Sequence, residues 1–233
     1  MNNDILQLKI KQRLNKLASN DYDNLEAWQI IEAFNKAQLE WVRRQLHGSN
    51  VFREGDEGSK RRIDDIQILL LDLPITGTNK KEYFESNLLP ADYLQYKRIS
   101  TDAKSKCCPA DSMTVYLAEE ANIASLLSDE FRKPSFEWGE TFCTIMGNRI
   151  KIYHDDLFTI VNPILTYYRK PIYIQIAGAI DPYTGLTSAT NVICEFKDDI
   201  VELLIDESAS ILAGDIESVN QFSRGTQNAE RNN

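Results

Sequence analysis

The sequence predicts an α+β fold: N-terminal helices, a central antiparallel β-rich region, and a C-terminal amphipathic helix that runs into an extended tail. Three observations predict it. Apolar residues recur near the 3.6-residue period at both ends of the chain. Beyond Pro74, turn signals alternate with short strand-like runs. The 233 residues are 42% apolar and 26% charged, an ordinary globular composition. A chain of this length buries roughly 70 to 75% of its unfolded surface, enough for a stable core.

Residues Asp4 to Ala18 carry Ile5, Leu6, Leu8, Ile10, Leu14 and Leu17 among lysines and arginines, the pattern of a first short helix. A second helix follows, capped by Asp23 with Glu26 three residues on. Ala27, Ile30, Ile31, Phe34, Ala37, Trp41 and Val42 line one of its faces. Arg43, Arg44 and His47 complement its C-terminal dipole, and Gly48 ends it. The stretch HGSNVFREGDEGSKRRI then reads as a solvated connector.

The apolar run from Ile66 to Leu73 fits a buried strand or a helix end equally well. Turns are expected over Thr76 to Asn79 and a break at Leu89-Pro90, followed by a strand over Tyr93 to Ile99. The clearest hairpin pairs Thr141–Met146 with Arg149–Tyr153 across Gly147-Asn148, with Ile150 and Ile152 on one face. Two more strands are expected, at Phe158 to Val161 with Leu165 to Tyr168, and at Ile172 to Ile176 after Pro171. Asp181 to Gly185 is a turn.

The last helix is read over Glu195 to Glu217. Ile200, Leu203, Leu204, Ile211 and Leu212, with Ala209 and Ala213, form its apolar face, and Gly214 is its stop. Asp198, Asp199, Glu202, Asp206 and Glu207 form an acidic face. From Asp181 to Glu217 nine acids stand against Lys197 alone, so most of the chain's net charge of −9 sits in one stretch. Such a face is either solvated, repellent to other anions, or directed at a basic partner. The segments are therefore 1–62, helices and connector; 63–194, mainly β; 195–217, the last helix; and 218–233, a polar tail unable to pack by itself.

No window approaches 18 uninterrupted apolar residues, and the first residues do not read as a signal peptide, so a cytosolic, unprocessed chain is expected. Cys107, Cys108, Cys143 and Cys194 are scattered and read as reduced thiols. The acidic balance disfavours gripping DNA by neutralising phosphates. His47 and His154 have no cysteines at zinc-ligand spacing, so neither a metal nor a cofactor is expected. A Cys143–His154 nucleophile pair across the hairpin is the one thiol arrangement to weigh, and it is weak because any hairpin brings residues together. The acid doublets Asp64-Asp65, Asp155-Asp156 and Asp198-Asp199 point different ways and build no paired-carboxylate site. The Arg53–Lys60 stretch lacks the order of a phosphate-binding loop. Tyr93, Tyr96, Tyr153, Tyr167, Tyr168 and Tyr173 suit cross-strand packing or an interface. Arg169-Lys170-Pro171 is a basic spot that could meet an acidic neighbour such as the final helix of another copy.

Three stretches, NDYDNLEAWQIIEAFNKAQLEWVRRQLHG, FCTIMGNRIKIYHDDLFTIVNPILTYYRKP and CEFKDDIVELLIDESASILAGDIESVNQF, resemble the ring or adaptor proteins in the neck of crAss-like bacteriophages. None is a catalytic signature. The resemblance implies a structural virion protein assembled in the host bacterial cytoplasm, not an enzyme. It would form a homo-oligomeric ring, about a dodecamer, with two unlike lateral faces. Its implied partners are itself, the portal protein and other neck and tail ring proteins, with DNA passing through the channel without sequence recognition. In that setting the acidic face lines the channel or meets another subunit. The tail is an arm that orders on a neighbour, with Phe222 and Arg224 as its anchors. The alternatives are a cytosolic module that binds a partner through its tail, and a cysteine or carboxylate enzyme.

Overall fold

The computed structural model describes residues 1–15, 25–47, 65–105, 108–155 and 157–215. Asp23, Gly48, most of the connector, Asp64, Cys107, Asp156 and the tail with Phe222 and Arg224 lie outside these residues. The α+β reading holds, with four helices and one eight-stranded sheet described. The chain divides into two units: one from the described parts of Met1–Ile68 and Pro171–Asn233, the other Leu69–Lys170. The β region thus ends at Lys170 rather than near residue 194, and the two terminal segments share one unit.

In the helical unit, α1 (Asn3–Asn15) and α2 (Ala27–His47) pack mainly against α4 (Asp198–Asp215). Helix α1 buries Leu6, Ile10 and Leu14, spaced four residues apart, while Ile5 and Leu8 face out. Helix α2 buries the expected stripe from Ile30 to Val42, and Trp41 meets Phe196 edge to face at 5.2 Å. Helix α4 departs from the one-faced expectation. It buries Ile200, Val201, Leu204, Ile205, Ala209, Leu212 and Ala213, together with Ser208 and Ser210, because it has neighbours on more than one side. Leu203 and Ile211 are only half-buried, and the helix continues through Gly214 to Asp215.

The expected strand at Ile172–Ile176 is a correction: it joins no sheet and makes an isolated bridge between Gln175 and Val192. Beyond that bridge and a bond from Ile172 N–H to the Glu195 carboxylate, side-chain amides from the helices satisfy its backbone. Buried Asn35 accepts from Ile174 N–H at 2.9 Å and donates to Ile174 C=O at 3.3 Å, and Gln38 donates to Asn35 at 3.0 Å. Asn3 donates to the carbonyls of Gln175 (2.7 Å) and Val192 (3.1 Å).

In the β unit, the strands are β1 (Leu70–Pro74), β2 (Gly77–Asn79), β3 (Tyr83–Ser86), β4 (Tyr93–Ser105), β5 (Asp111–Leu117), β6 (Glu140–Met146), β7 (Arg149–Tyr153) and β8 (Phe158–Arg169). Their order is β1-β8-β4-β5-β6-β7-β3-β2. Only β5 and β6 run parallel, so a crossover must join them, and it carries the short helix α3 (Ile123–Ser128). The ambiguous run after Ile66 is both things in turn, a 3-10 turn at Gln67–Leu69 and then β1.

One expectation is corrected here, and one strand is added. Thr76 to Asn79 is not a turn: Gly77 is in β2, where a Cβ would lie 2.1 Å from the Glu85 carbonyl oxygen, so this glycine serves close strand approach. The runs Phe158–Val161 and Leu165–Tyr168 lie in the single strand β8, continuous through Pro163. Between Ser100↔Ile164 and Asp102↔Val161, Thr101 of β4 faces both Asn162 and Pro163, and Asn162 takes φ 50°. That bulge absorbs the proline, whose carbonyl accepts from Ile75 N–H at 2.8 Å. Strand β5, absent from the sequence reading, alternates buried Met113 and Val115 with outward Ser112, Thr114 and Tyr116.

The hairpin is as expected, with Gly147 (φ 58°) and Asn148 (φ 57°) in the left-handed conformation that a twist-matched two-residue turn requires. Ile150 and Ile152 are both fully buried. Register shifts between β4 and β8 bend the sheet, and one face of β3 through β8 converges on a single core including Phe84, Ile99, Val115, Ile152 and Leu165. The curl brings β2 to β8: Asn79 donates to Ile160 C=O (3.1 Å) and accepts from Ile160 N–H (3.3 Å).

Asn35→Leu keeps the branched shape of the side chain and leaves the buried Ile174 N–H and C=O unpaired. The expected loss is about 2 to 4 kcal/mol, seen as a lower urea midpoint with an unchanged slope.

Candidate functional site

Most of the acidic residues of α4 are engaged within the chain. Glu202 pairs with Lys9 and, at 3.6 Å, with Arg13; Asp206 takes Arg13 Nε at 2.7 Å; Glu207 pairs with Arg44. Asp198 meets the α-amino group of Met1 at 2.8 Å, which holds its carboxyl below the usual range. Asp199 is exposed. Because Lys9 and Arg13 lie one turn apart, as do Glu202 and Asp206, α1 and α4 form a ladder of charge with both helices running the same way. Four of the five predicted acids therefore meet cations of the same chain.

Glu207 is the most buried of them, at 7% exposed. Burial raises its carboxyl more than Arg44 lowers it. Since the folded value lies above the unfolded one, the contribution of Glu207 is full at low pH and declines as pH rises through the folded value.

The predicted basic residues are also in use. Lys170 N–H donates to Asp92 C=O at 2.7 Å and its ammonium to Ala91 C=O at 3.3 Å; Arg169 donates to Lys170 C=O at 3.2 Å. They tie the end of β8 to the chain before β4. Phe222 and Arg224 lie outside the described residues.

The thiol reading finds no nucleophile pair. Cys143 is fully buried opposite Ile152, and its thiol lies 3.9 Å from the Tyr96 hydroxyl. Burial pushes the Cys143 thiol up to about 12 and the Cys194 thiol up to about 11, away from thiolate at neutral pH. Buried His154 directs Nδ1 to the Asp155 carbonyl at 3.0 Å and packs its ring 6.0 Å from Phe158. Among the described residues, no three His, Cys, Asp or Glu side chains are grouped as a metal site requires, and no helix is long and apolar enough to cross a membrane.

What stands out is exposed apolar surface. In the β5–β6 crossover Phe131 is 96% and Trp138 80% exposed, beside half-exposed Tyr116 and Leu117. Two adjoining grooves, about 740 and 660 Å³, share Tyr116, Phe131, Arg132, Glu140 and Phe142 in their walls. The loop is held from beneath. Asp129 accepts from Phe131 N–H at 3.0 Å, Ser135 and Glu140 bond reciprocally, and Phe136 packs 6.1 Å from Phe158. Gly139 takes φ 63° and its carbonyl accepts from Thr114 N–H at 2.8 Å, fixing the return to β6. Phe131 and Trp138 are thus outward residues on a loop tied down around them.

A second, unlike surface lies in the helical unit, on the turn expected at Asp181–Gly185. Ile180, Tyr183 and Leu186 are half-exposed or more. Buried Asp181 holds the turn by accepting from Tyr183 N–H (2.9 Å) and the Thr184 hydroxyl (3.0 Å), and its C=O accepts from Gly185 N–H (2.8 Å). Tyr183 stacks on Tyr173 at 4.7 Å. Burial, then Tyr173, Glu32 and Asp181, push its phenol up to about 12.

Sequence reading missed the crossover surface because it looked for aromatics on strands. The signal was present in SDEFRKPSFEWGE, where three aromatics interrupt charged residues between Pro134, Gly139 and the strands, a loop with no core to account for Phe131 or Trp138. A scan against protein-family models finds no match to this chain, and a search of the curated proteins finds no similar sequence.

Two measurements check this chemistry. Iodoacetamide at pH 8 should leave Cys143 and Cys194 unmodified in the native chain and alkylate both in urea, as read by peptide mass; fast native labelling of Cys143 would contradict its burial. Unfolding of the chain and of Glu207→Gln, followed from pH 4 to 7, should show the stability advantage of the glutamate over glutamine shrinking as pH rises.

Proposed function

We propose that this chain is a structural subunit of the neck of a crAss-like bacteriophage. It forms a ring of about twelve copies between portal and tail, extending the DNA channel and supporting tail attachment. The observation that carries the reading is the pair of unlike exposed apolar surfaces, Phe131–Trp138 on the β unit and Ile180–Tyr183–Leu186 on the helical unit. A ring needs heterologous contacts, in which one patch meets a different patch on the next copy, and unlike surfaces on one chain provide for that. The resemblance of the three sequence stretches to neck ring proteins supplies the setting. The acids of α4 are spent on Lys9, Arg13 and Arg44, so in this reading they stiffen the subunit, and the contacts are made by the apolar surfaces.

The test is assembly. Purified chain, alone or with portal protein, should form rings in negative-stain images, and its mass in light scattering should rise with concentration. Leu186→Ser and Trp138→Ser should each reduce ring yield while changing stability by no more than about 0.5 kcal/mol, as expected of exposed positions. A chain that stays monomeric at tens of micromolar and never joins portal rings would overturn the proposal. Monomers that bind one host protein through Phe131 and Trp138 would instead favour a cytosolic interaction module.

A further inference from the structure

The crossover groove has an occupant that this chain itself can provide. Phe131 and Trp138 are the most exposed large apolar side chains among the described residues. The groove walls carry Glu119, Glu130, Glu137 and Glu140 against Arg132 and Lys133, and Arg132 also lies 3.7 Å from Asp129. The site therefore combines aromatic faces with an excess of carboxylates. Beyond Asp215 the sequence continues for eighteen residues. Fully extended, they would span roughly 60 Å.

Within that stretch, SVNQFSRGTQNAERNN holds a single aromatic residue, Phe222, and two arginines against one glutamate. Phe222 and Arg224 are two positions apart, so an extended segment presents both on the same side. That pairing matches the groove. A phenyl ring can pack against Phe131 and Trp138, which line the same groove, and a guanidinium two residues on can sit over an indole face or against a glutamate. We propose that the crossover groove of the β unit is the docking site for the segment around Phe222–Arg224 of the C-terminal tail of this same protein. The inference does not rest on ring formation, since the tail can dock within a copy or between copies.

The experiment places the photo-crosslinker p-benzoylphenylalanine at position 222 of the full chain, irradiates it and maps the product by peptide mass. The expected result is a crosslink within residues 116–142, whether in one chain or between two. Phe131→Ser with Trp138→Ser should cut the yield roughly tenfold or more. Arg224→Glu, which turns attraction to the groove carboxylates into repulsion, should cut it by about threefold. An unchanged far-ultraviolet circular dichroism spectrum and melting temperature exclude misfolding as the cause. Crosslinks that map elsewhere, or a yield unmoved by both variants, would overturn the proposal. Ring counts from the same samples are read separately, so loss of rings with the crosslink retained would count against the neck assignment alone.

Discussion

The constraint on which both units depend is that a buried backbone N–H or C=O must find a partner, even where a strand runs out of neighbours. The chain meets this constraint twice by one device. In the helical unit the extended segment after Pro171 has no adjoining strand, and the carboxamide of Asn35 takes both backbone groups of Ile174. In the β unit the end of β2 reaches β8 beyond the last ladder pair, and Asn79 does the same for Ile160. A carboxamide carries one acceptor and a donor pair, as a peptide group does in reverse order, so it can stand in for a missing strand. Without these contacts, Ile174 and Ile160 would each bury polar groups at a cost comparable to a large share of a domain's net stability.

Helix α4 shows how charge and burial share one element. Its apolar residues face two helices, which leaves no broad outer face for its acids. They emerge at the seams, where Lys9 and Arg13 on one side and Arg44 on the other meet them. Ion pairs at a half-buried seam add little net stability but penalise other registers between the helices, because a slip sets carboxylates against apolar surface. Ser208, Ala209, Ser210 and Ala213 provide the small residues that keep the packing close.

The surfaces left over have a different character. Phe131, Trp138, Leu186 and Tyr183 sit on loops whose backbones are tied by Asp129, Ser135 and Asp181, so their exposure is built in by hydrogen bonds. Presenting an anchor on a tied loop reduces the entropy lost when a partner binds.

The sequence by itself determined the local structure wherever one period or one turn was decisive. The helix over Ile30–Val42, the Gly147-Asn148 hairpin and the Asp181 turn are fixed by contacts within about four residues, which sequence order displays directly. It also determined that acids would concentrate near the C-terminus. It did not determine what those acids meet, because Lys9 and Glu202 are 193 positions apart and only folding makes them neighbours. Strand continuity through Pro163 was likewise illegible, since a bulge depends on the partner strand's register and not on the proline alone. Gly77 looked like a turn because glycine signals both turns and close approach, and only the neighbouring strand tells them apart. The charged loop setting of Phe131 and Trp138 was visible in sequence, but their full exposure was a tertiary decision, because what lies over an aromatic residue is set by elements far along the chain.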